Sequence, residues 1–264
     1  MPSAIKNPVL SDFVRSVKAY PMWVSFATHD IRTRFRRSIL GPFWLTLSMG
    51  IFVATLALIF SQVFGTPLTS YLPYVVTGFL FWSFFSTVVI ESCTCFYDSR
   101  SLVQNLPLPL LVHFFRMLLR NIYILLANSV IFVLVWLIFM RTVDWNTLYF
   151  FPGLILFLGN MLWISIFFGV VATRYRDVTQ IVASVLQVFF FVTPIFWSPA
   201  TLANRPVFID ANPLYHMISV VRNPLLNQPT AMLSYQVLAV SLVFGALITY
   251  ALLRRSIKRI PYWV

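Results

Sequence analysis

Charged side chains are scarce in this sequence. They make up only 10% of its 264 residues, and only 7 residues are acidic. A soluble domain carries about 25% charged residues, so the composition excludes an ordinary soluble enzyme. Hydrophobic residues account for 59% of the chain and occur in long runs, whereas a transmembrane β-barrel would need alternating segments of about 10 residues. The sequence therefore predicts an all-α integral membrane protein.

Residues that carry enzymatic chemistry are equally few. The only cysteines, Cys93 and Cys95, are two positions apart and would point to different faces of a helix, which disfavours a disulfide or a metal-binding pair. His29, His113 and His216 are far apart, and no two acidic residues lie within four positions of each other. We therefore expect no catalytic residue and no metal site on this chain.

The sequence also lacks a nucleotide-binding motif. None of its lysines follows a glycine, so it contains no Gly-x-x-x-x-Gly-Lys-Ser/Thr loop for the phosphates of ATP. We expect a protein that is not an enzyme and that holds no cofactor itself. If it pumps a substrate, another polypeptide must supply the energy.

Six long apolar stretches dominate what is present, and each is close to the roughly 20 residues of a membrane-spanning helix. The predicted spans are residues 42–64, 71–95, 113–139, 148–172, 178–197 and 234–253. This arrangement places all but Arg141, Arg205 and Arg222 of the 19 basic residues on one side, together with both termini. Cytoplasmic loops are enriched in Lys and Arg, so both termini are predicted to be cytoplasmic. The same rule explains the net charge of +12 without a nucleic-acid partner.

The N-terminal segment, residues 1–38, is predicted to be an amphipathic, interfacial helical segment on the cytoplasmic side. Its apolar residues recur at helical spacing, and its basic residues occupy another face. The apolar stripe begins with Leu10, Phe13, Val14 and Val17. The six-span transmembrane domain then occupies residues 39–264.

A proline-rich stretch separates the fifth and sixth predicted spans. Asn212 and Pro213 fit the N-cap and first position of a helix. An apolar stripe follows at Leu214, Met217, Ile218, Val221 and Leu225. The pattern predicts a short re-entrant or interfacial helix, with a plain interfacial loop as the alternative.

Six short motifs, taken in order, resemble those of one family. They are His29–Trp44, Asn105–Pro109, Arg174–Val178, Thr193–Trp197, Asn212–Tyr215 and Arg259–Val264. Their composition and spacing resemble the membrane (permease) subunits of polysaccharide ABC exporters. That family includes the O-antigen permease Wzm, the capsule permease KpsM and the teichoic-acid permease TagG. The C-terminal motif is most similar to O-antigen permeases.

The resemblance implies a homodimer in the bacterial cytoplasmic (inner) membrane, associated with two copies of a separate ABC ATPase subunit that binds ATP and Mg. The implied substrate is a polyprenyl-pyrophosphate-linked glycan, with O-antigen favoured over capsule or teichoic acid. Membrane lipid is an expected partner and nucleic acid is not. The alternatives are a small-molecule ABC export permease and an ATP-independent flippase or transferase for lipid-linked sugars. The last of these would need acidic residues at its catalytic or coupling site, which the chain lacks.

The arginines before the first span are candidates for binding the substrate. Arg32, Arg34, Arg36 and Arg37 are predicted at head-group depth, and guanidinium groups pair bidentately with phosphate. We expect this run, above all Arg36 and Arg37, to hold the lipid pyrophosphate at the cytoplasmic gate. The alternative is a membrane anchor that touches only bulk anionic lipid.

Two cytoplasmic loops are candidates for contact with the ATPase. Residues 99–106 are predicted to form a short helix stopped by Pro107, with a loop that has no partner as the alternative. The turn at 174–177 is predicted to touch the ATPase edge or to cap two helix ends. The candidate coupling residues are Ser99, Arg100, Ser101, Leu102, Gln104, Asn105, Arg174, Arg176 and Asp177.

By the same resemblance, the first and fifth spans line the channel and the helix after Asn212 forms an extracytoplasmic gate. A passing glycan needs stacking faces and hydrogen bonds more than fixed charges. The candidate channel residues are Trp44, Phe52, Phe60, Phe189 and Phe190, and a packing or lipid-facing position is the alternative for each. The candidate gate residues are Asn212, Pro213, Tyr215 and His216.

Overall fold

The computed structural model of the protein describes residues 7–36, 41, 43–139, 144–199 and 207–264. Within these ranges the regular structure is helical and no residue is in a β-strand, which confirms the all-α prediction. The α-helices are α1 (Pro8–Lys18), α2 (Tyr20–Arg34), α3 (Phe43–Val63), α4 (Leu68–Asp98), α5 (Arg100–Asn105), α6 (Val112–Phe139), α7 (Phe150–Arg174), α8 (Val178–Val192), α9 (Val207–Asp210), α10 (Pro213–Leu225), α11 (Met232–Ser256) and α12 (Ile260–Trp263). A 3₁₀ turn at Trp145–Tyr149 leads into α7.

Within the described ranges, five helices are long and apolar enough to cross a membrane. They are α3, α4, α6, α7 with its preceding 3₁₀ turn, and α11. The prediction of six spans is met only in part, because α8 has just 15 residues. At 1.5 Å per residue such a helix is about 23 Å long, which is shorter than the roughly 30 Å of a bilayer core. A sixth span therefore stays a prediction.

The fifth predicted span stops early as a helix because of Pro194. The residue before a proline disfavours the α conformation, and Thr193 adopts an extended backbone with φ −87° and ψ 134°. The hydroxyls of Tyr71 and Tyr74 on α4 donate to backbone carbonyls within residues 194–197. Irregular backbone at membrane depth requires such partners, so α4 stabilises the extension of α8.

α4 is the central helix of the bundle. In its most apolar stretch 67% of the residues are buried, against 22% in α3 and 6% in α6. It contacts α3, α6, α7, α8 and α10. α10 folds back onto this core and reaches α7 at Gly153, where an added Cβ atom would lie 2.2 Å from the carbonyl oxygen of Val220. The outward faces of α3 and α8 remain exposed.

α1 and α2 pack at the end of the bundle formed by the start of α6 and the ends of α4, α7 and α11, which we call the basic end. Asn7 caps α1 by accepting the N–H of Val9 at 3.2 Å. The carboxylate of Asp12 accepts the N–H groups of Leu110 and Leu111 at 3.0 and 3.1 Å. Burial raises the pKa of Asp12 above its usual range, and these two hydrogen bonds act in the opposite direction. The interfacial position of this segment stays a prediction, as does the domain boundary at 38, which falls outside the described residues.

Candidate functional site

A cavity of about 180 Å³ lies between the first half of α3 and the middle of α4 and α6, and Arg34 at the end of α2 borders it on the side of the basic end. Most of its lining residues are apolar, and five are polar. We call it the basic-end pocket. Its polar lining consists of Arg34 from α2, Ser83 and Thr87 from α4, and Asn121 and Asn128 from α6. A guanidinium group beside amides and hydroxyls suits a ligand that carries both an anion and hydroxyl groups.

Among the described arginines of the predicted run, Arg34 is the one that lines this pocket. Arg32 and Arg36 are exposed elsewhere on the surface, and Arg37 lies outside the described residues. Arg34 is the last residue of α2, and its side chain reaches the pocket from the end of that helix. The geometry thus places Arg34 at the pocket, and the roles expected of Arg36 and Arg37 stay predictions.

The two amides of the pocket are fixed by their neighbours. Thr46 Oγ1 on α3 donates to Asn128 Oδ1 at 3.2 Å. Asn121 Nδ2 donates to the carbonyl oxygen of Met117 at 3.0 Å and to Glu91 Oε2 at 2.6 Å. Restrained amides present a constant hydrogen-bonding pattern to whatever enters the pocket.

Four charged residues beside the pocket were missed as a group by the sequence analysis. Asp30 on α2, Glu91 on α4, and Arg116 and Arg120 on α6 form ion pairs with one another. The available signals were the only glutamate in the chain and two arginines spaced four apart, which share one helix face.

The exposed faces of α3 and α8 carry polar residues at helical spacing, and we call them the polar faces. They comprise Ser48, Thr55 and Gln62 on α3, and Gln180, Ser184 and Gln187 on α8. The hydroxyls of Thr55 and Ser184 donate to carbonyl oxygens of their own helices. The amides of Gln62, Gln180 and Gln187 are better stabilised by a polar space or a second protein surface than by lipid. Neither polar face was predicted, because the candidate channel residues were all aromatic.

Three of the predicted channel residues, Phe52, Phe60 and Phe190, meet in one aromatic cluster with Phe79 and Phe196. The Phe79 ring lies between α3 and α8, with its centroid 4.8 Å from that of Phe52 and 6.4 Å from that of Phe190. The Phe196 ring lies 5.3 Å from Phe60 and 5.5 Å from Phe190. This aromatic cluster joins α3, α4 and the end of α8.

The other two predicted channel residues have different surroundings. Trp44 is exposed near the start of α3. Phe189 is half-buried and packs against the hydrophobic core. Phe60 and Phe190 pack against the same core, so a channel position and a packing position both stay predictions for Phe189.

The predicted short helix before Pro107 is present as α5, which confirms this element of the prediction. Ser99 is buried, and its carbonyl oxygen accepts the N–H groups of Leu102 and Val103, both at 2.9 Å. The exposed side chains of α5 are Arg100, Ser101, Gln104 and Asn105. The helix thus presents a polar surface at the basic end.

The turn at 174–177 lies against the end of α4. Arg176 Nε donates to the hydroxyl of Tyr97 at 2.7 Å, and its guanidinium lies 5.4 Å from the centre of that ring. Arg174 lies over the ring of Trp263 at 5.1 Å. Asp177 is the N-cap residue of α8, but within the described part of the chain its side chain makes no capping hydrogen bond. Because Tyr97 is three residues before α5, the two candidate coupling segments adjoin.

Two of the predicted gate residues begin α10, which is present as a helix. Asn212 caps it by accepting the N–H of Leu214 at 2.9 Å, and Pro213 is its first residue. The Asn212 side chain also donates to Thr193 Oγ1 at 3.0 Å. The N-cap prediction is confirmed, and the same side chain ties α10 to the end of α8.

The other two predicted gate residues follow on α10. His216 is buried, with Nδ1 2.9 Å from Ser234 Oγ and Nε2 2.8 Å from the carbonyl oxygen of Asp210. The ring of Tyr215 lies 5.3 Å from that of His216. His216 therefore fastens α10 to α9 and to the start of α11.

Arg222, also on α10, was treated by the sequence analysis only as a charge outside the membrane. It is 2% exposed. Its Nη1 donates to the carbonyl oxygen of Pro194 at 2.6 Å, and its guanidinium lies 4.1 Å from the centre of the Tyr74 ring. The overlooked signal was a basic residue inside the apolar stripe of α10.

Residues 23–226 match the profile of the ABC-2 type transporter family, and this match covers well over half of the chain. The chain belongs to the ABC-2 type transporter family. Membership and the five long apolar helices make it a multi-pass membrane protein. The match begins in α2 and ends just after α10, so it contains the basic-end pocket, both polar faces and α5.

Three relatives agree with this placement within the ABC-2 type transporters, and all three bear the name O-antigen export system permease protein RfbA. The relative from Myxococcus xanthus is 21% identical over 199 residues, which are 74% of this chain and 76% of the relative. Two relatives from Klebsiella pneumoniae are 22% identical over 236 residues and 21% identical over 235 residues, in each case 87% of this chain and 88% of the relative. The resemblance to polysaccharide exporter permeases is thereby confirmed.

Proposed function

We propose that this chain is the transmembrane subunit of an ATP-driven exporter that moves a polyprenyl-pyrophosphate-linked polysaccharide, O-antigen, across the bacterial inner membrane. The observation that carries the proposal is the basic-end pocket, which places Arg34 beside amides and hydroxyls at the same end as α5. The family match and the names of the three relatives support a permease for O-antigen. The chain conducts its substrate and catalyses no covalent step.

The pocket suits the polar part of such a lipid. The guanidinium of Arg34 pairs with a pyrophosphate oxygen at head-group depth. The amides of Asn121 and Asn128 and the hydroxyls of Ser83 and Thr87 offer hydrogen bonds to sugar hydroxyls. Arg32, Arg36 and Arg37 are close to Arg34 in the sequence, and their positive charge raises the local concentration of an anionic substrate.

The conduit is formed between two copies of the chain in a homodimer. Each copy contributes the polar faces of α3 and α8, whose amides and hydroxyls are exposed in one copy. The aromatic cluster supplies stacking surfaces between them. In this arrangement α8 and residues 193–197 together form the sixth span, and both termini are cytoplasmic.

Energy comes from two copies of a separate ABC ATPase that binds ATP and Mg, and membership of the ABC-2 family supports this partnership. The exposed side of α5 is the docking surface, and the turn at 174–177 touches its edge through Arg176. The bond between Arg176 and Tyr97 holds the turn beside the docking helix, so both segments meet one partner.

Substitution of Arg34 tests this proposal. The complex with its ATPase is reconstituted in proteoliposomes, and ATP-dependent transfer of polyprenyl-pyrophosphate-linked O-antigen is measured. Arg34→Gln should lower the rate about 10-fold or more, because a hydrogen bond to a charged group is worth about 1.5–3 kcal/mol. Arg254→Gln is the matched control, since Arg254 is exposed in the last turn of α11. Equal transfer by wild type and Arg34→Gln would contradict the proposed role of the pocket.

A further inference from the structure

Three helices meet in one network of ion pairs at the basic end. Arg116 of α6 donates to both carboxylate oxygens of Asp30 on α2, at 2.6 and 2.7 Å. Arg120, one turn further along α6, lies 3.5 Å from Asp30 and 2.8 Å from Glu91 on α4. Asn121 completes the network by donating to Glu91 at 2.6 Å. We call this set of five side chains the ionic bridge.

The ionic bridge is too well sheltered to be an ordinary surface ion pair. The four charged side chains are between 14% and 24% exposed. The two negative charges equal the two positive charges. The Arg116–Asp30 pair is bidentate, which fixes the relative orientation of the two side chains as well as their distance. Removal of one partner would leave a half-buried charge unpaired, so the pairs hold α2, α4 and α6 in a defined register.

The ionic bridge extends from the helix that carries Arg34 of the basic-end pocket to the helix that leads into α5. Asp30 precedes Arg34 by four residues on α2, so both side chains project from the same helix face. Glu91 lies two turns before the end of α4 at Asp98, and α5 begins at Arg100. Asn121 belongs to the ionic bridge and also lines the basic-end pocket.

A small cavity borders the arginines of the ionic bridge. Glu91, Arg116 and Arg120 border a cavity of about 40 Å³ that is also lined by Asp98 and His113. Both ring nitrogens of His113 are buried without a partner among the described residues. Asp98 receives a hydrogen bond from Thr94 at 2.8 Å and lies outside the ionic bridge. A space of this size holds about one water molecule beside the paired charges.

We propose that the ionic bridge couples the position of α5 to the position of Arg34 and Asn121 in the basic-end pocket. A displacement of α5 by the ATPase moves the end of α4, Glu91 carries Arg120 with it, and Asp30 then moves α2 and its Arg34. Asp30, Glu91, Arg116 and Arg120 are positioning residues that do not touch the substrate. This inference rests on the proposed function, because it assumes that the pocket binds a pyrophosphate lipid and that α5 meets an ATPase.

The test measures how a nucleotide changes the affinity of the pocket. The purified permease–ATPase complex binds a short polyprenyl pyrophosphate probe, first without nucleotide and then after ATP hydrolysis in the presence of vanadate, which traps ADP and vanadate on the ATPase. The ratio of the two dissociation constants is the coupling between the sites. We expect a ratio of about 10 in wild type, within the usual range for coupled sites, and a ratio near 1 in Glu91→Gln and in Asp30→Asn.

Matched variants separate coupling from mere stability. Asp98→Asn removes a carboxylate from the same small cavity and should keep the wild-type ratio. Arg116→Lys keeps the charge but loses the bidentate geometry, so its ratio should fall between those of wild type and Arg116→Met. A purely structural role would lower the melting temperature of these variants and leave the ratio unchanged, which would overturn the inference.

The remaining outcomes distinguish this inference from the proposed function. If wild type binds no probe in either state, the proposed function fails and the ionic bridge has nothing to position. If wild type binds the probe and Arg34→Gln does not, but Glu91→Gln keeps the full ratio, the proposed function stands and the ionic bridge is refuted. A wild-type ratio of 1 would also refute it.

Discussion

Arg222 donates to the carbonyl oxygen of Pro194 at 2.6 Å, and this contact joins α10 to the backbone segment that prolongs α8. The guanidinium is buried and stacks on Tyr74 of the central helix α4. One side chain therefore holds three elements at the end of the bundle opposite the basic end. The contact explains why a positive charge is tolerated inside an apolar stripe: a carbonyl and an aromatic face replace water around it.

Replacement of Arg222 should destabilise the protein. Arg222→Gln loses a charge-assisted hydrogen bond, which is worth about 1.5–3 kcal/mol, and Arg222→Lys should be intermediate because it keeps the charge without the planar stack. Thermal unfolding in detergent measures the effect. Gln228→Ala, an exposed position in the loop after α10, is the control. A Gln variant as stable as wild type would show that the contact is incidental.

The hydrogen bond between Thr46 and Asn128 should stabilise the packing of α3 on α6. Thr46→Val is expected to lower the free energy of unfolding by about 0.6 kcal/mol, which is the average for hydrogen bonds between membrane helices. Thr55→Val is the matched control, because the Thr55 hydroxyl donates to Ile51 within its own helix at 2.8 Å. The expectation fails if both variants lose the same stability.

The polar face of α8 should affect transport and not stability. Gln187→Leu removes an exposed amide, and loss of one hydrogen bond to a sugar of about 1 kcal/mol lowers the export rate about fivefold. Val188→Leu changes the neighbouring exposed position without removing a polar group. Each variant is expressed in cells that lack the wild-type protein, and export is measured as the amount of glycan on the cell surface. Equal export by the two variants would show that the polar face of α8 does not line the conduit.

The exposed side of α5 should be required for association with the ATPase. Ser101→Trp adds a bulky ring to this short polar surface and is expected to abolish co-purification of the ATPase, while the fold remains intact. Gln228→Trp places the same ring on an exposed loop away from the basic end. If the ATPase co-purifies equally with both variants, α5 is not its docking surface.

The fold was largely predictable wherever a single apolar run of the sequence forms a single helix. The predicted span 113–139 agrees with Val112–Phe139, and 42–64 agrees with Phe43–Val63, because the length of the run fixes the length of the helix. The helix in the fifth predicted span is shorter than the span itself, since α8 ends at Val192, ahead of the Thr193–Pro194 step. The apolar run of the sequence continues past Val192, but the helix does not.

The site was less predictable because its contacts join distant parts of the chain. Arg116 and Asp30 are 86 positions apart, and no local spacing relates them. Arg34 could be nominated as one of four arginines, but only the placement of α2 singles it out. The polar faces illustrate a different limit: Gln180 and Gln187 show helical spacing in the sequence, but their exposure follows from how α8 packs on α4.

Affinity purification of the tagged chain from its native membrane, with identification of everything bound to it, tests the central claim most directly. We expect an ABC ATPase in equal amount and a polyprenyl-pyrophosphate-linked glycan, with the glycan lost in Arg34→Gln and the ATPase retained. A clean homomer in mild detergent, with neither ATPase nor lipid-linked glycan, would contradict it.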